Sequence, residues 1–324
     1  MLLNRIFYIV IFVSLTLNLF CEDAQADSLI QTPTEYLKSA IELIRENALN
    51  SKNIDWEKAI PEAMGFLEFA TTTADTYPII KDLLKRLEDN HSFFKTPRKY
   101  KKDKYSTVEE NDPVTSKMLV DNIAYINIPY IRGYTDEKNL LYTNIIQDQI
   151  AALDSLDPIG WIVDLRENTG GNMWPMLAGL GPLLGEGILG YMCFNDEDIS
   201  WFYRNGKMGF DDNILIDIPN SGYAVSNSDL PVAVLIGEQT MSSGEAVAIS
   251  FIGNSKAKFF GHPTKGLSTV NVSHKLSDGA LIVLTEGIFA DRSGKRYGSK
   301  IEPDTFVEDQ EKAIKKASQW IKSY

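Results

Sequence analysis

Apolar residues recur at helical spacing over the first hundred positions and in short unbroken runs after that. Leu37, Ala40, Ile41 and Ile44 stand at i, i+3, i+4 and i+7, one face of a helix. Thr32-Pro33-Thr34-Glu35 precedes them as a capping box with proline at the first helical position, where its missing N–H costs nothing. Asp55 is placed to cap a second helix to about Phe69. Asp75 opens a third, in which Ile80, Leu83, Leu84 and Leu87 repeat the spacing before Asp89-Asn90-His91-Ser92. These elements predict a small helical region over 27–95. Residues 96–119 are polar and lack periodicity, so they read as an irregular linker or cap segment. They contain the one basic cluster, Pro97 to Lys104.

From residue 120 the pattern changes to apolar runs alternating with amphipathic stretches. Ile123 to Ile128 reads as a strand. Asp136 caps a helix carrying Leu140, Leu141, Ile145, Ile146, Ile150 and Leu153. Ile159 to Leu165 is a buried strand that ends at Glu167-Asn168-Thr169-Gly170-Gly171, with a helix from Asn172 to about Leu184. Val232 to Ile236 is a second buried strand, followed by Thr240-Met241-Ser242-Ser243-Gly244-Glu245 and a helix to about Ile252. Further strands are expected near 256–261 and 280–286. Repeated strand, turn and helix predict an α/β core over 120–324 with a parallel or mixed sheet.

The N-terminus reads as an address. Arg5 precedes an apolar run from Ile6 to Phe20, 15 residues long, shorter than the roughly 20 a membrane helix needs. Ala24-Gln25-Ala26 then places small residues where a signal peptidase reads. Residues 1–26 are therefore expected to be a signal peptide cleaved after Ala26. The protein is then exported: periplasmic, extracellular or cell-surface. An uncleaved segment would instead tether it to the membrane.

Composition narrows the chemistry. With 44% hydrophobic and 23% charged residues the chain is globular. Its net charge of −12 excludes nucleic acid as the main partner, because phosphate binding needs a basic face. Two cysteines exclude a disulfide framework, and cleavage would leave only Cys193, which reads as a small buried apolar residue. Three histidines without metal-ligand spacing are too few for a histidine-rich metal site.

Two strand-to-helix junctions could carry chemistry. At Gly170-Gly171, paired glycines allow close backbone approach and leave N–H groups free at a helix start. A plain tight turn would use the same residues. At Ser242, a serine follows a buried strand and opens a helix, the place of a nucleophile in a strand–turn–helix elbow. A simple N-cap would look alike. A serine nucleophile needs a base, and His91, His262 and His274 are the histidines on offer.

Together these stretches resemble the C-terminal processing peptidase and tricorn family of serine peptidases. The resemblance rests on DLRENTGG at 164–171, TMSSGE at 240–245, GHPTKG at 261–266 and DRSGKRYGSKIEPD at 291–304. It implies a Clp/crotonase-like core and an endopeptidase acting on peptides or unstructured tails by a serine mechanism that needs no metal and no cofactor. Ser242 would be the nucleophile. The oxyanion hole would be the N–H of Ser243, asked only for its backbone, and that of Gly170 or Gly171. A side chain at Gly171 would intrude on the oxyanion. The lysine of the processing-peptidase branch falls at Leu267. LEDNHS at 87–92 instead resembles the histidine stretch of the branch that includes the nisin-resistance proteins and lacks a PDZ domain. His91 is thus the expected base, with Lys265 the rival. A histidine base would place the acid limb of activity at roughly pH 6–7.5. The alternative is a non-catalytic protein on the same scaffold that binds an apolar ligand or peptide.

Overall fold

The computed structural model describes residues 31–104, 113–131 and 135–324. The expected signal segment 1–26 and residues 105–112 of the expected linker lie outside the described residues. In chain order, α1 (Pro33–Asn47), α2 (Trp56–Gly65), α3 (Tyr77–Arg86), β1 (Phe93–Lys95) and α4 (Pro97–Lys104) come first. Next are β2 (Thr115–Leu119), β3 (Ile123–Asn127), α5 (Asp136–Asp154), β4 (Gly160–Asp164) and α6 (Met173–Leu184). Then come β5 (Gly187–Cys193), β6 (Asp198–Arg204), β7 (Lys207–Phe210), β8 (Asn213–Asp217), β9 (Val232–Ile236) and α7 (Ser243–Phe251). The last are β10 (Ala257–Gly261), β11 (Thr269–Lys275), β12 (Leu281–Asp291), β13 (Thr305–Phe306) and α8 (Ala313–Ile321). The chain divides into two compact units, residues up to 102 with 271–287, and 103–270 with 288–324. Among the described residues, no helix is long and apolar enough to cross a membrane.

In the first unit the expected capping box is formed. Thr32 N–H donates to Glu35 Oε2 at 2.9 Å, and Glu35 N–H donates to Thr32 Oγ1 at 3.2 Å. The apolar stripes of α1 and α3 (Leu37, Ile41, Ile44; Ile80, Leu83, Leu84) close on Leu276, Ala280, Ile282 and Leu284 of the β11–β12 hairpin. Each fully buried leucine or isoleucine contributes about 1.5–3 kcal/mol. The second helix ends at Gly65, and Phe66–Phe69 continue as a 3-10 turn. β1 runs antiparallel to β12, pairing Phe93 with Val283 and Lys95 with Leu281. At the hairpin turn, Asp278 accepts from the Tyr36 phenol at 2.8 Å, the Tyr77 phenol at 2.5 Å and Ala280 N–H at 2.9 Å.

The expectation of an irregular stretch over 96–119 is corrected. Residues 97–104 are the helix α4, and 115–119 are the strand β2. The helix lacks an apolar stripe, so periodicity gives no sign of it. Its start is set locally by Pro97 and by Thr96, whose carbonyl accepts from Tyr100 N–H at 3.0 Å. Similarly, the cap of α5 is Thr135 rather than Asp136.

The second unit holds a six-stranded sheet in the order β13-β10-β9-β4-β3-β2. β2 is antiparallel to β3, and β3, β4, β9, β10 and β13 run parallel. β4 and β9 are adjacent and buried along their whole length, as expected for parallel strands covered on both faces. One face packs on α8 through Ile162, Ala233, Leu235, Ala313, Ala317 and Ile321. On the other, α5 meets β3 and α7 meets β9, with α6 between these helices. Helices α5 and α6 approach so closely that a Cβ on Gly179 would lie 2.6 Å from Ile146 Cβ. Residues 288–291 of β12 pair antiparallel with β5, and β5 through β8 form a meander.

Replacing Asp278 with alanine should leave the buried Tyr36 phenol without its acceptor. We expect a loss of about 1–3 kcal/mol in urea unfolding, whereas Asp278→Asn, which keeps one acceptor oxygen, should lose less.

Candidate active site

The two junctions singled out in the sequence sit at the C-terminal ends of neighbouring parallel strands, where ligands of open α/β sheets bind. The chain after β4 turns through Asn168, which is fully buried. Asn168 Oδ1 accepts from Gly170 N–H at 2.9 Å, and its Nδ2 donates to Ile128 O at 3.0 Å. The junction after β9 is tied to this turn at several points. Met241 N–H donates to Asn168 O at 3.1 Å, and Thr240 Oγ1 donates to Leu165 O at 2.8 Å while accepting from Gly237 N–H at 3.0 Å.

Ser242 lies in the sharp turn between β9 and α7 with φ 54° and ψ −120°. Most other non-glycine residues with positive φ in the described chain are asparagine or aspartate, which tolerate it. A serine in such a conformation costs about 1–3 kcal/mol and persists only where its surroundings over-determine it. The fully buried Glu245 supplies one restraint. Its Oε2 accepts from Ser242 N–H at 3.0 Å, and its Oε1 accepts from Thr264 Oγ1 at 2.5 Å and Gly266 N–H at 3.0 Å. Burial pushes the Glu245 carboxyl up, and these donors hold it against that shift. The GHPTKG stretch is thereby fastened to the serine turn.

Gly170 and Gly171 both have φ near +100°. A Cβ on Gly170 would meet Ser242 Cβ at 3.0 Å and Ser243 N at 3.3 Å, so the glycine lies directly against the elbow. A Cβ on Gly171 would meet the Ile131 carbonyl oxygen at 2.1 Å. The expectation that a side chain at Gly171 would intrude on the oxyanion is corrected, because it would strike the neighbouring backbone instead. Gly170 N–H is donated to Asn168. The N–H groups of Gly171 and Ser243 meet no acceptor among the described residues. Ser243 also contributes more than its backbone, since its hydroxyl donates to Gly171 O at 2.7 Å.

His91 stands in the first unit, in the turn that leads from α3 to β1. Asp89 shapes this turn: its Oδ1 accepts from His91 N–H at 2.9 Å and Ser92 N–H at 2.7 Å, and its Oδ2 accepts from Ser92 Oγ at 2.5 Å. The turn needs positive φ at both Glu88 and Asn90. Asn271 Nδ2 donates to His91 O at 3.1 Å, and Thr285 N–H donates to Ser92 Oγ at 2.9 Å. Burial pushes the His91 imidazole down to about 4, against the opposing pull of the Asp89 carboxylate. This lies below the ordinary histidine value on which the sequence-based expectation rested. His262 stacks on Phe306, and His274 bonds Glu286 at 2.5 Å within a buried pair. Lys265 is exposed, and its N–H donates to Thr240 O. Cys193 is buried, which pushes its thiol up to about 12.

Asn168, Thr240, Glu245 and Asp89 were not singled out as site residues from the sequence. Each lies inside a quoted stretch, and its residue type was the available signal: short polar side chains beside glycines and serines make turn-closing bonds. Among the described residues, no cluster of histidine, cysteine and carboxylate groups could hold a metal ion.

The profile of peptidase family S41 matches residues 122–307, and the chain belongs to that family. The matched span contains both junctions and the GHPTKG stretch, and His91 lies ahead of it. The chain is similar to a nisin-resistance protein of Lactococcus lactis subsp. lactis, 28% identical over 300 residues that cover 90% of this chain and 88% of that one. Among solved structures, a lipoprotein from Streptococcus agalactiae superposes with a TM-score of 0.74 at 24% identity, covering 95% of this chain and 99% of the other. A photosystem II D1 C-terminal processing protease superposes with a TM-score of 0.59 at 14% identity, covering 87% and 94%. The fold is therefore the Clp/crotonase-like α/β core with an N-terminal helical region.

Two outcomes follow from this geometry. Gly170→Ala should lower turnover by on the order of 10² by misplacing the elbow, and both Gly170→Ala and Gly171→Ala should lower the melting temperature, the latter more because the Ile131 backbone must move. Between pH 6.5 and about 4 the unfolded chain holds a proton on His91 that the folded chain does not. Stability should therefore fall as pH is lowered through that interval, and His91→Gln should flatten the dependence in denaturant titrations.

Proposed function

We propose that this protein is an exported serine endopeptidase in which Ser242 attacks the peptide carbonyl and His91 is the base. The observation that carries the proposal is the strained Ser242 turn, set against a glycine turn, with the N–H groups of Ser243 and Gly171 beside it meeting no acceptor among the described residues. His91 takes the proton from Ser242 Oγ as the bond to the carbonyl carbon forms. The developing oxyanion is held by the Ser243 and Gly171 N–H groups. His91 returns its proton to the leaving amine, and water then releases the acyl group by the same steps in reverse order. A neutral imidazole is required at the start, and a buried histidine meets that requirement throughout the physiological range. A lysine base would need burial to lose its proton near neutrality, and Lys265 is exposed.

Likeness to a nisin-resistance protein supports an extended peptide as substrate and an exported site of action. Cleavage of the leader after Ala26 belongs to the same proposal.

The test is labelling with a serine-directed fluorophosphonate together with cleavage of nisin and of an unstructured peptide. Wild-type protein should label and cleave. Ser242→Ala should reduce cleavage to background, a loss on the order of 10⁶, and abolish labelling. His91→Ala should abolish cleavage, and Lys265→Ala should leave it intact. The rate should rise with pH through about 4 and be level near neutrality. An acid limb only above about pH 8.5, where a lysine of lowered pKa would titrate, would remove His91 from the base role. An unlabelled wild type that binds peptide without cutting it would favour the non-catalytic alternative.

A further inference from the structure

We propose that the Ser243 hydroxyl is a positioning group that fixes the second oxyanion donor, the N–H of Gly171, relative to the first, the N–H of Ser243 itself. The inference rests on the assignment of Ser242 as nucleophile and concerns how its oxyanion site is kept in shape.

The peptide plane that carries the Gly171 N–H joins two glycines, both with positive φ. Glycine admits more backbone conformations than any other residue, so this plane has the least intrinsic hold of any near the serine. Its own carbonyl, Gly170 O, is met among the described residues only by Ile131 N–H at a long 3.4 Å. The geometry must come from the flanking planes. On the near side, Gly170 N–H is held by Asn168 Oδ1 at 2.9 Å. On the far side, Asn172 N–H donates to Ile131 O at 2.8 Å, and the carbonyl of the same plane, Gly171 O, accepts from Ser243 Oγ at 2.7 Å. Without the hydroxyl, the far plane is fixed at its N–H end only, and the donor plane between the glycines can rotate.

The direction of the bond matters as well. Ser243 is the first residue of α7, so its position follows the helix and the Ser242 turn. Its hydroxyl therefore ties the glycine turn to the element that carries the nucleophile. Both donors then shift together with any movement of that helix. Alanine at this position would supply the same backbone N–H without the tie.

The experiment compares Ser243→Val with Ser243→Thr in the full chain. The two have nearly the same shape and differ in the hydroxyl. Ser243→Val is expected to lower kcat about three- to tenfold, the range set by the net worth of one hydrogen bond, with KM unchanged. Its affinity for a peptide aldehyde, which forms a tetrahedral adduct on Ser242, should fall by the same factor. Ser243→Thr should recover most of both losses. A structural role alone would move KM and the melting temperature and would not match the aldehyde affinity to kcat. Wild-type kcat and aldehyde affinity in Ser243→Val would overturn the proposal, as would equal losses in the valine and threonine variants. If the valine variant does not fold, Ser243→Ala read against Ser243→Thr gives the same comparison. Failure of the nucleophile assignment is distinct, because the wild type itself would then neither label nor bind the aldehyde covalently.

Discussion

The backbone at Ser242 keeps φ 54° and ψ −120° because the atoms around it leave few alternatives. Its N–H is held by Glu245, the residue before it is bonded to Asn168 O, and Gly170 packs so near that a Cβ there would lie 3.0 Å from Ser242 Cβ. Strain of about 1–3 kcal/mol is offset by these bonds and by the fully buried strands on which both turns are mounted. Much else in the core follows from this. Asn168 must be buried to reach both turns. Gly244 can carry no side chain, since a Cβ there would lie 2.6 Å from Asn168 O. Thr264 and Gly266 must come close to satisfy Glu245.

Glu245 shows how one buried charge organises three segments. A carboxylate without exposure is costly unless its oxygens are fully bonded. Here one oxygen serves the Ser242 turn and the other serves the GHPTKG stretch. Removing either partner would leave a buried acceptor unsatisfied, so the serine turn and this stretch are energetically linked. The histidine turn uses the same device at smaller scale. The Asp89 carboxylate accepts three bonds and closes the loop around His91. Burial keeps that imidazole neutral at ordinary pH, and the cost appears as acid sensitivity of the fold.

Much of the α/β core was legible because its strands are unbroken apolar runs and its helices begin at turn residues that close bonds locally. Ile159–Leu165 and Val232–Ile236 were read as strands for this reason, and both were found close to their expected limits. The meander β5–β8 was not read, because glycines and aromatics break its alternation. Its one clear signal was Asn205-Gly206, which forms a two-residue turn with φ of 48° and 71°. The helix α4 was missed because no apolar stripe marks it.

By itself the sequence determined the N-terminal helices, the buried strands of the parallel sheet, the two strand-to-helix turns and the residue types in them, because these depend on local propensity, periodicity and turn chemistry. The family resemblance followed from the same short stretches. Tertiary structure decided which atoms those residues meet. It assigned Gly170 N–H to Asn168, set the Gly171 Cα against Ile131, gave the Ser243 hydroxyl to Gly171 O and buried His91 deeply enough to lower its pKa. It also grouped the hairpin 271–287 with residues up to 102, which lie far earlier in the chain. The physical reason is common to all of these. Hydrogen-bond partners and desolvation are set by neighbours in space, and a residue's neighbours along the chain do not specify them.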